Sequence, residues 1–119
     1  MVRAKDAVGK YGEDVAVRHL TEAGLEIVER NWRCPEGEID IVARDRDVLV
    51  ICEVKTRSSA LFGLPGEAVT YRKQERLRRL AYLWLQEQST WMGEVRFDVV
   101  SVIRADRGAA VVEHIKAAF

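Results

Sequence analysis

Length, composition and charge exclude several classes of protein. The chain has 119 residues, 48% hydrophobic and 32% charged, which predicts one globular domain spanning residues 1–119 with one core. No apolar run approaches the ~18 residues of a membrane span, and Met1–Asp6 lacks the apolar stretch of a secretory signal. We therefore expect a cytoplasmic protein without a membrane partner. The 19 basic and 19 acidic residues cancel, which argues against coating nucleic acid by bulk charge but allows a nuclease with local basic groups.

Helical and strand-like patterns follow one another in a simple order. The predicted elements are a helix over 5–23, strands over 25–33, 38–43 and 48–55, a helix from about 66 to 88, and strands over 95–103 and 110–115. Short links among the first three strands predict an antiparallel meander, and the long helix predicts a crossover to a parallel neighbour. The expected fold is α/β, with a mixed five-stranded sheet flanked by helices.

The cysteines and histidines give no sign of a metal or nucleophile motif. Cys34 and Cys52 lie outside any metal-knuckle spacing, so we interpret them as reduced thiols. His19 and His114 are isolated in the sequence, which predicts surface or core roles.

Charged residues interrupt the second and third predicted strands. Because strand side chains alternate between faces, Glu38, Asp40 and Val42 are predicted to share one face, and Ile39 and Ile41 the other. The interruption by two carboxylates marks this end of the sheet as a candidate site.

The third strand adds Glu53 and Lys55, which alternation places on one face. A turn centred on Arg46-Asp47 would set Asp40 directly opposite Glu53. A turn one residue earlier would set Glu38 opposite Glu53, with Asp40 on the diagonal. Either pairing keeps the carboxylates within roughly 5–8 Å at Cβ and turns all the charged groups the same way.

Facing carboxylates destabilise a sheet, and a divalent cation would relieve the repulsion. Two carboxylates with waters and phosphate oxygens suit Mg²⁺. Lys55 could orient an attacking water or stabilise charge on a phosphoryl transition state. The spacing alone leaves open a second interpretation, in which the acids line a solvated strand end and Lys55 merely balances Glu53.

The first helix contributes a further carboxylate. Glu13 falls beside Val17 and Leu20 at the edge of the apolar face, where it needs a partner or a metal. Gly9 and Gly12 would let this helix approach another backbone closely. A boundary glutamate that is hydrogen-bonded or reaches water remains the alternative.

Basic residues of the second predicted helix, together with Arg57, are candidate contacts for phosphate groups. Arg72, Arg76 and Arg79 form one stripe on the second helix, while Lys73 falls inside its apolar arc and is predicted to point toward the sheet. The stripe could hold phosphates, as could Arg57 in the predicted loop over 56–66. A solvated helix face and a plain connecting loop are the alternatives.

Five motifs together resemble the YraN-type family of uncharacterised bacterial proteins. In chain order they are Gly12-Glu13, Asn31-Trp32-Arg33, Gly37-Glu38-Ile39-Asp40, Glu53-Val54-Lys55-Thr56-Arg57 and Arg96-Phe97-Asp98-Val99-Val100. The match covers almost the whole chain. That family is similar to the restriction-endonuclease-like PD-(D/E)xK nucleases, and particularly to archaeal Holliday-junction resolvases.

The resemblance implies a restriction-endonuclease-like fold and an active site. It implies metal ligation by Asp40, Glu53 and the main-chain carbonyl of Val54, with Lys55 as the catalytic lysine. Glu13 matches the first-helix glutamate of resolvase-like members. Ile39 stands where the superfamily often has proline. Junction-resolving members are usually dimeric, so a homodimer is a candidate assembly.

Three functions compete at this point. One is a Mg²⁺-dependent endonuclease, with Mn²⁺ as substitute, that hydrolyses DNA, branched DNA included. Its predicted site comprises Asp40, Glu53, Lys55 and Glu13, with Glu38 beside them. Another is a non-catalytic nucleic-acid-binding or scaffold module that keeps the fold. The weakest is a hydrolase of small phosphorylated molecules, because no glycine-rich phosphate loop is present.

Overall fold

The computed structural model describes residues 4–57, 69–88, 93–105 and 107–119. Its elements are α1 (Ala4–Glu22), β1 (Glu26–Cys34), β2 (Gly37–Asp45), β3 (Val48–Arg57), α2 (Tyr71–Glu87), β4 (Glu94–Ile103) and β5 (Val111–Ile115). The predicted order of helix, three strands, helix and two strands is therefore confirmed. Within these described ranges, neither helix is long and apolar enough to cross a membrane.

The five strands form one sheet in chain order, β1-β2-β3-β4-β5. β1, β2 and β3 form the predicted antiparallel meander, β3 pairs with β4 in parallel, and β5 returns antiparallel to β4. The parallel pair is possible because α2 lies between β3 and β4 in the chain. This mixed sheet with its two helices fits the restriction-endonuclease-like fold.

The two faces of the sheet carry two apolar clusters, one under each helix. β3 supplies both, since alternate side chains of a strand point to opposite faces. Leu49 and Ile51 pack with Leu77 and Trp84 of α2. Val50 and Cys52 pack instead in the cluster that contains Ala16 and Leu20 of α1. Burial on both faces explains why β3 reads as a continuous apolar run before its charged end.

The turn between β2 and β3 fixes the register of the candidate site. Ile41 pairs with Cys52, and Asp45 pairs with Val48 across a two-residue turn at Arg46-Asp47. The first of the two predicted registers is therefore confirmed.

The second helix begins later than predicted. Thr70 caps it, and the Thr70 hydroxyl accepts a hydrogen bond from Lys73 N at 3.2 Å. A start near Gly66 is wrong because Val69 and the capping Thr70 precede the helix; Gly66 itself lies outside the described residues. Val69 still packs at the edge of the α2 cluster, although from the loop.

One of the two predicted close approaches of α1 is present. A Cβ at Gly12 would collide with the Thr56 side chain, so the helix can lie this close to β3 only because glycine stands there. Gly9 faces open space, and the prediction for it was wrong.

Side-chain alternation reverses across one residue pair of the meander. Arg30 pairs with Ile41, and Trp32 pairs with Ile39, on either side of Asn31 and Asp40. Ile41 belongs to the α1 cluster, whereas Ile39 and Trp32 belong to the α2 cluster. Asn31 has a left-handed backbone, φ 53°, which asparagine tolerates better than most residues.

This reversal corrects the predicted distribution of side chains. Val42 packs under α2, but Glu38 and Asp40 line a cleft beside α1. Ile39 and Ile41 likewise do not share a face. Regular alternation could not predict this, because the left-handed residue lies in the neighbouring strand.

Candidate active site

A cleft of about 730 Å³ lies between α1 and the ends of the first three strands. Its polar lining comes from Glu13, Glu38 and Asp40 together with basic and amide groups of β1, and Val54 and Thr56 of β3 complete it. The chain thus gathers three of the four predicted carboxylates around one opening, with Glu53 next to them.

Of these four carboxylates, Asp40 is the one that forms no ion pair with a described residue. Its Oδ2 accepts a hydrogen bond from Val54 N at 2.8 Å. Burial, followed by the negative charge of Glu53, raises the pKa of Asp40 to about 7, against the opposing effect of the Val54 hydrogen bond. Glu38 and Glu13 raise this pKa further. Burial and the neighbouring carboxylates therefore both disfavour the charged form of Asp40.

Glu53 is buried, with 7% of its surface exposed, and receives a lysine from the other helix. The Nζ of Lys73 lies 2.7 Å from Glu53 Oε1. Lys73 therefore points toward the sheet, as the helical pattern predicted. Burial lowers the pKa of Lys73, but its bond to Glu53 outweighs this and leaves the pKa raised. Glu53 and Lys55 thus lie on the α2 face of β3, whereas Asp40 lines the cleft beside α1, so the predicted common face for all the charged groups is wrong. Asp40 and Glu53 are nevertheless close enough for the charge of one to raise the pKa of the other.

Lys55 follows Glu53 by two residues on the same face of β3 and lies beside Lys73. Burial and the adjacent Lys73 ammonium lower the pKa of Lys55, although Glu53 acts in the other direction. The two ammonium groups differ accordingly: Lys73 holds its proton firmly at Glu53, whereas Lys55 releases its proton more readily than an ordinary lysine.

Glu13 is fixed by two residues of β1. Asn31 Nδ2 donates to Glu13 Oε1 at 2.7 Å, and Arg30 donates to the same oxygen at 3.0 and 3.1 Å. Arg30 also pairs with Asp14 at 2.6 Å. Glu38, at the rim, pairs with Arg33 at 2.7 Å. The first-helix carboxylate is thus held toward the cleft.

Arg30 and Asn31 belong to the site but were not among the predicted site residues. Asn31 opens the Asn31-Trp32-Arg33 motif, which was a usable signal. Arg30 gave none, because regular alternation would put it on the same face as Trp32, which packs under α2.

The residues predicted to contact nucleic acid occupy different places. Arg72 and Arg76 are exposed on α2, and Arg57 is half-buried as the last residue of β3. Lys73 contacts Glu53. The predicted loop over 56–66 is wrong at Thr56 and Arg57, which belong to β3; residues 58–66 lie outside the described ranges.

A second buried carboxylate lies away from the cleft. Asp98 is fully buried and binds Arg96 at 2.8 and 2.9 Å, His114 at 2.7 Å and the amide of Ala117 at 3.0 Å. These bonds outweigh burial and lower the pKa of Asp98 to about 2. His114 also meets His19, with ring centroids 6.4 Å apart, so the two histidines are not isolated in space.

The carboxylate oxygens of Asp40 and Glu53 are the kind of ligand that a hard cation prefers, although the surrounding side chains do not form a complete metal centre. Among residues 4–57, 69–88, 93–105 and 107–119, no three histidine, cysteine, aspartate or glutamate side chains converge as a metal centre. Mg²⁺ needs only one or two carboxylates, since water and phosphate complete its shell. The adjacent Asp40 and Glu53 meet that requirement. The raised pKa of Asp40 indicates that a positive charge beside it would be stabilising. Cys34 and Cys52 are free thiols, as predicted.

Comparison with known proteins gives the family. The model described as "Uncharacterised protein family UPF0102" matches residues 12–102. This chain belongs to that family. A UPF0102 protein of Beutenbergia cavernae is 63% identical over 115 residues, covering 97% of this chain and 98% of the relative. Another, from Frankia casuarinae, is 55% identical over 118 residues, covering 99% and 100%. The predicted kinship with the YraN-type proteins is consistent with this membership.

Proposed function

We propose that this UPF0102 protein is a Mg²⁺-dependent endonuclease that hydrolyses phosphodiester bonds in DNA in the cytoplasm. The observation that carries the proposal is the meeting of Asp40, Glu53 and Lys55 at one end of the sheet, where β2 and β3 run side by side. Branched DNA is the substrate suggested by the resemblance to junction resolvases.

Asp40 and Glu53 would hold the cation, and the main-chain carbonyl of Val54 is a further candidate ligand. Bound Mg²⁺ would supply Lewis-acid polarisation of the scissile phosphate and a more acidic water. Glu13 is held toward the same cleft by Arg30 and Asn31, so it can orient water from the side of α1.

Lys55 acts on the reacting phosphate in this proposal. Its lowered pKa suits a group that shares or gives up a proton more readily than an ordinary lysine does. While charged, its ammonium can stabilise negative charge that develops on a phosphate oxygen.

DNA would be held by local basic groups, since the total charge is zero. Arg72 and Arg76 are exposed on α2, the helix whose Lys73 contacts Glu53, and Arg57 is the last residue of β3. Arg33 is exposed at the cleft. Such contacts would fix the backbone without reading sequence.

The test is a cleavage panel. Linear, single-stranded, flap and four-way DNA are incubated with purified protein and Mg²⁺ or Mn²⁺. We expect cleavage of at least one substrate, a loss of about 100-fold or more in Asp40→Asn, and wild-type rates in the matched control Asp47→Asn, which alters an exposed turn at the other end of β2. No cleavage by wild type, or equal cleavage by Asp40→Asn, contradicts the proposal.

The alternative is a non-catalytic nucleic-acid-binding or scaffold module. One observation favours it: Glu53, Glu13 and Glu38 each have a basic protein partner. It predicts no Mg²⁺ or Mn²⁺ heat in calorimetry. Metal binding that disappears in Glu53→Ala would reject this alternative.

A further inference from the structure

The contact between Glu53 and Lys73 joins the acid cluster to α2. Glu53 is almost fully buried, and the Lys73 ammonium lies 2.7 Å from its Oε1. A buried carboxylate without a cation would be costly, so this contact stabilises Glu53 when no metal is bound. Among the described residues, by contrast, the Asp40 side chain has the Val54 N–H as its partner and no ion pair.

Lys73 can form this contact because of its position in α2. Thr70 caps the helix at Lys73 N, which fixes the start of the lysine stem. The stem is flexible and ends in a compact charge, and 34% of the side chain is exposed. The ammonium is therefore anchored at its backbone, and a path toward solvent is open to it.

We propose that Lys73 substitutes for the divalent cation at Glu53, so that lysine and metal bind this carboxylate alternately. The inference rests on the proposed function, because it takes Glu53 to be a metal ligand. One ammonium can balance Glu53 alone, whereas a divalent cation can balance Glu53 and Asp40 together. Once displaced from Glu53, the Lys73 ammonium would lie beside Lys55, where it could bind a phosphate oxygen.

This arrangement makes Lys73 a positioning residue that lowers the apparent metal affinity. Metal binds only the fraction of molecules in which Glu53 is released, and the apparent dissociation constant rises by the inverse of that fraction. Removing the ammonium should therefore tighten metal binding even with no nucleic acid present.

The experiment is calorimetric titration of the full chain with Mn²⁺ or Mg²⁺ alone. We expect Lys73→Met to bind about tenfold more tightly than wild type, corresponding to Glu53 being free in roughly a tenth of molecules. Arg79→Met removes the same charge from the same helix but acts on Glu36; we expect its affinity to stay within about twofold of wild type. Glu53→Ala should lose binding.

Two failures are distinguishable. Equal affinities for Lys73→Met and Arg79→Met, with binding still lost in Glu53→Ala, overturn the exchange but leave the proposed metal site intact. No metal heat in wild type or in any variant contradicts both proposals.

A second measurement covers the case in which Lys73→Met does not fold. Lys73→Gln, Glu53→Gln and the double variant form a thermodynamic cycle in urea unfolding. We expect a favourable coupling between the two residues in EDTA that vanishes at saturating Mn²⁺. A coupling that is zero in EDTA, or unchanged by Mn²⁺, overturns the exchange.

Discussion

Asp40 and Asp98 are both strand aspartates, the first partly buried at the cleft and the second fully buried, yet the charges that surround them have opposite signs. Asp98 is bound by Arg96, His114 and a backbone amide, which lower its pKa to about 2. Asp40 lies among Glu53, Glu38 and Glu13, and burial together with these charges raises its pKa to about 7. One position is electrostatically complete, and the other retains excess negative charge.

The difference separates a structural carboxylate from a candidate functional one. A satisfied buried network ties strands together and leaves nothing for a ligand to neutralise. A carboxylate whose pKa is raised by its neighbours is where a cation or a proton would bind most favourably. On this criterion the Asp40 end of the sheet, and not the Asp98 network, is the candidate functional end.

The largest expected effect is on the Asp98 side. Asp98→Ala leaves Arg96 and His114 without their buried partner, and should lower the free energy of unfolding by about 3–5 kcal/mol. Asp40→Ala should cost about 1 kcal/mol or less, since it loses one hydrogen bond but relieves repulsion. Urea unfolding in EDTA at neutral pH measures both. Equal losses would remove the distinction between the two aspartates.

An intermediate effect is expected at Gly12. This glycine lets α1 pack against Thr56 at the Asp40 end of the sheet. Gly12→Ala forces the new methyl against Thr56 and should cost about 1–3 kcal/mol. Gly9→Ala is the matched control, because that position is open and alanine favours a helix by up to about 1 kcal/mol. Thermal unfolding compares the two variants. A Gly12→Ala protein as stable as wild type would show that α1 does not need its close approach to β3.

The smallest effect is a pH dependence of opposite sign at the two aspartates. The raised pKa of Asp40 contributes stability that is complete below about pH 3.8 and is lost as pH rises through about 7. The lowered pKa of Asp98 contributes stability above about pH 3.8 that is lost as pH falls through about 2.

Unfolding of the metal-free protein measured against pH tests these signs. Between about pH 4 and 7, the unfolding free energy of wild type should fall by on the order of 1–2 kcal/mol relative to Asp40→Asn, after allowance for the partial exposure of Asp40. Asp98→Asn should keep the wild-type slope in that window. A slope that persists in Asp40→Asn would assign it to another group.

The fold could be predicted because each element repeats a simple period. β3 is apolar on both faces, α2 has a broad apolar arc, and a two-residue turn fixes how β2 meets β3. The same logic pointed Lys73 toward the sheet. These features depend on neighbours in the sequence, which periodicity captures.

The rest depends on contacts between residues far apart in the chain. Arg30 reaches Glu13 only because the backbone of Asn31 is left-handed, and no period encodes that. The Asp98 network joins β4 to His114 of β5 and to Ala117, so His114 looked isolated in the sequence. The helix start was misplaced because a capping threonine followed apolar residues that suited a helix.

The reversal of side-chain direction at Asn31 and Asp40 has a consequence for how this site can change over generations. Both strands reverse side-chain direction at this pair, and their register is constant from Glu29–Val42 to Cys34–Gly37, beyond the bulge between Ile27 and Glu29. Inserting or deleting one residue within this stretch of one strand alone would shift the register. The carboxylate of Asp40 and the groups of β1 that hold Glu13 would therefore have to move together.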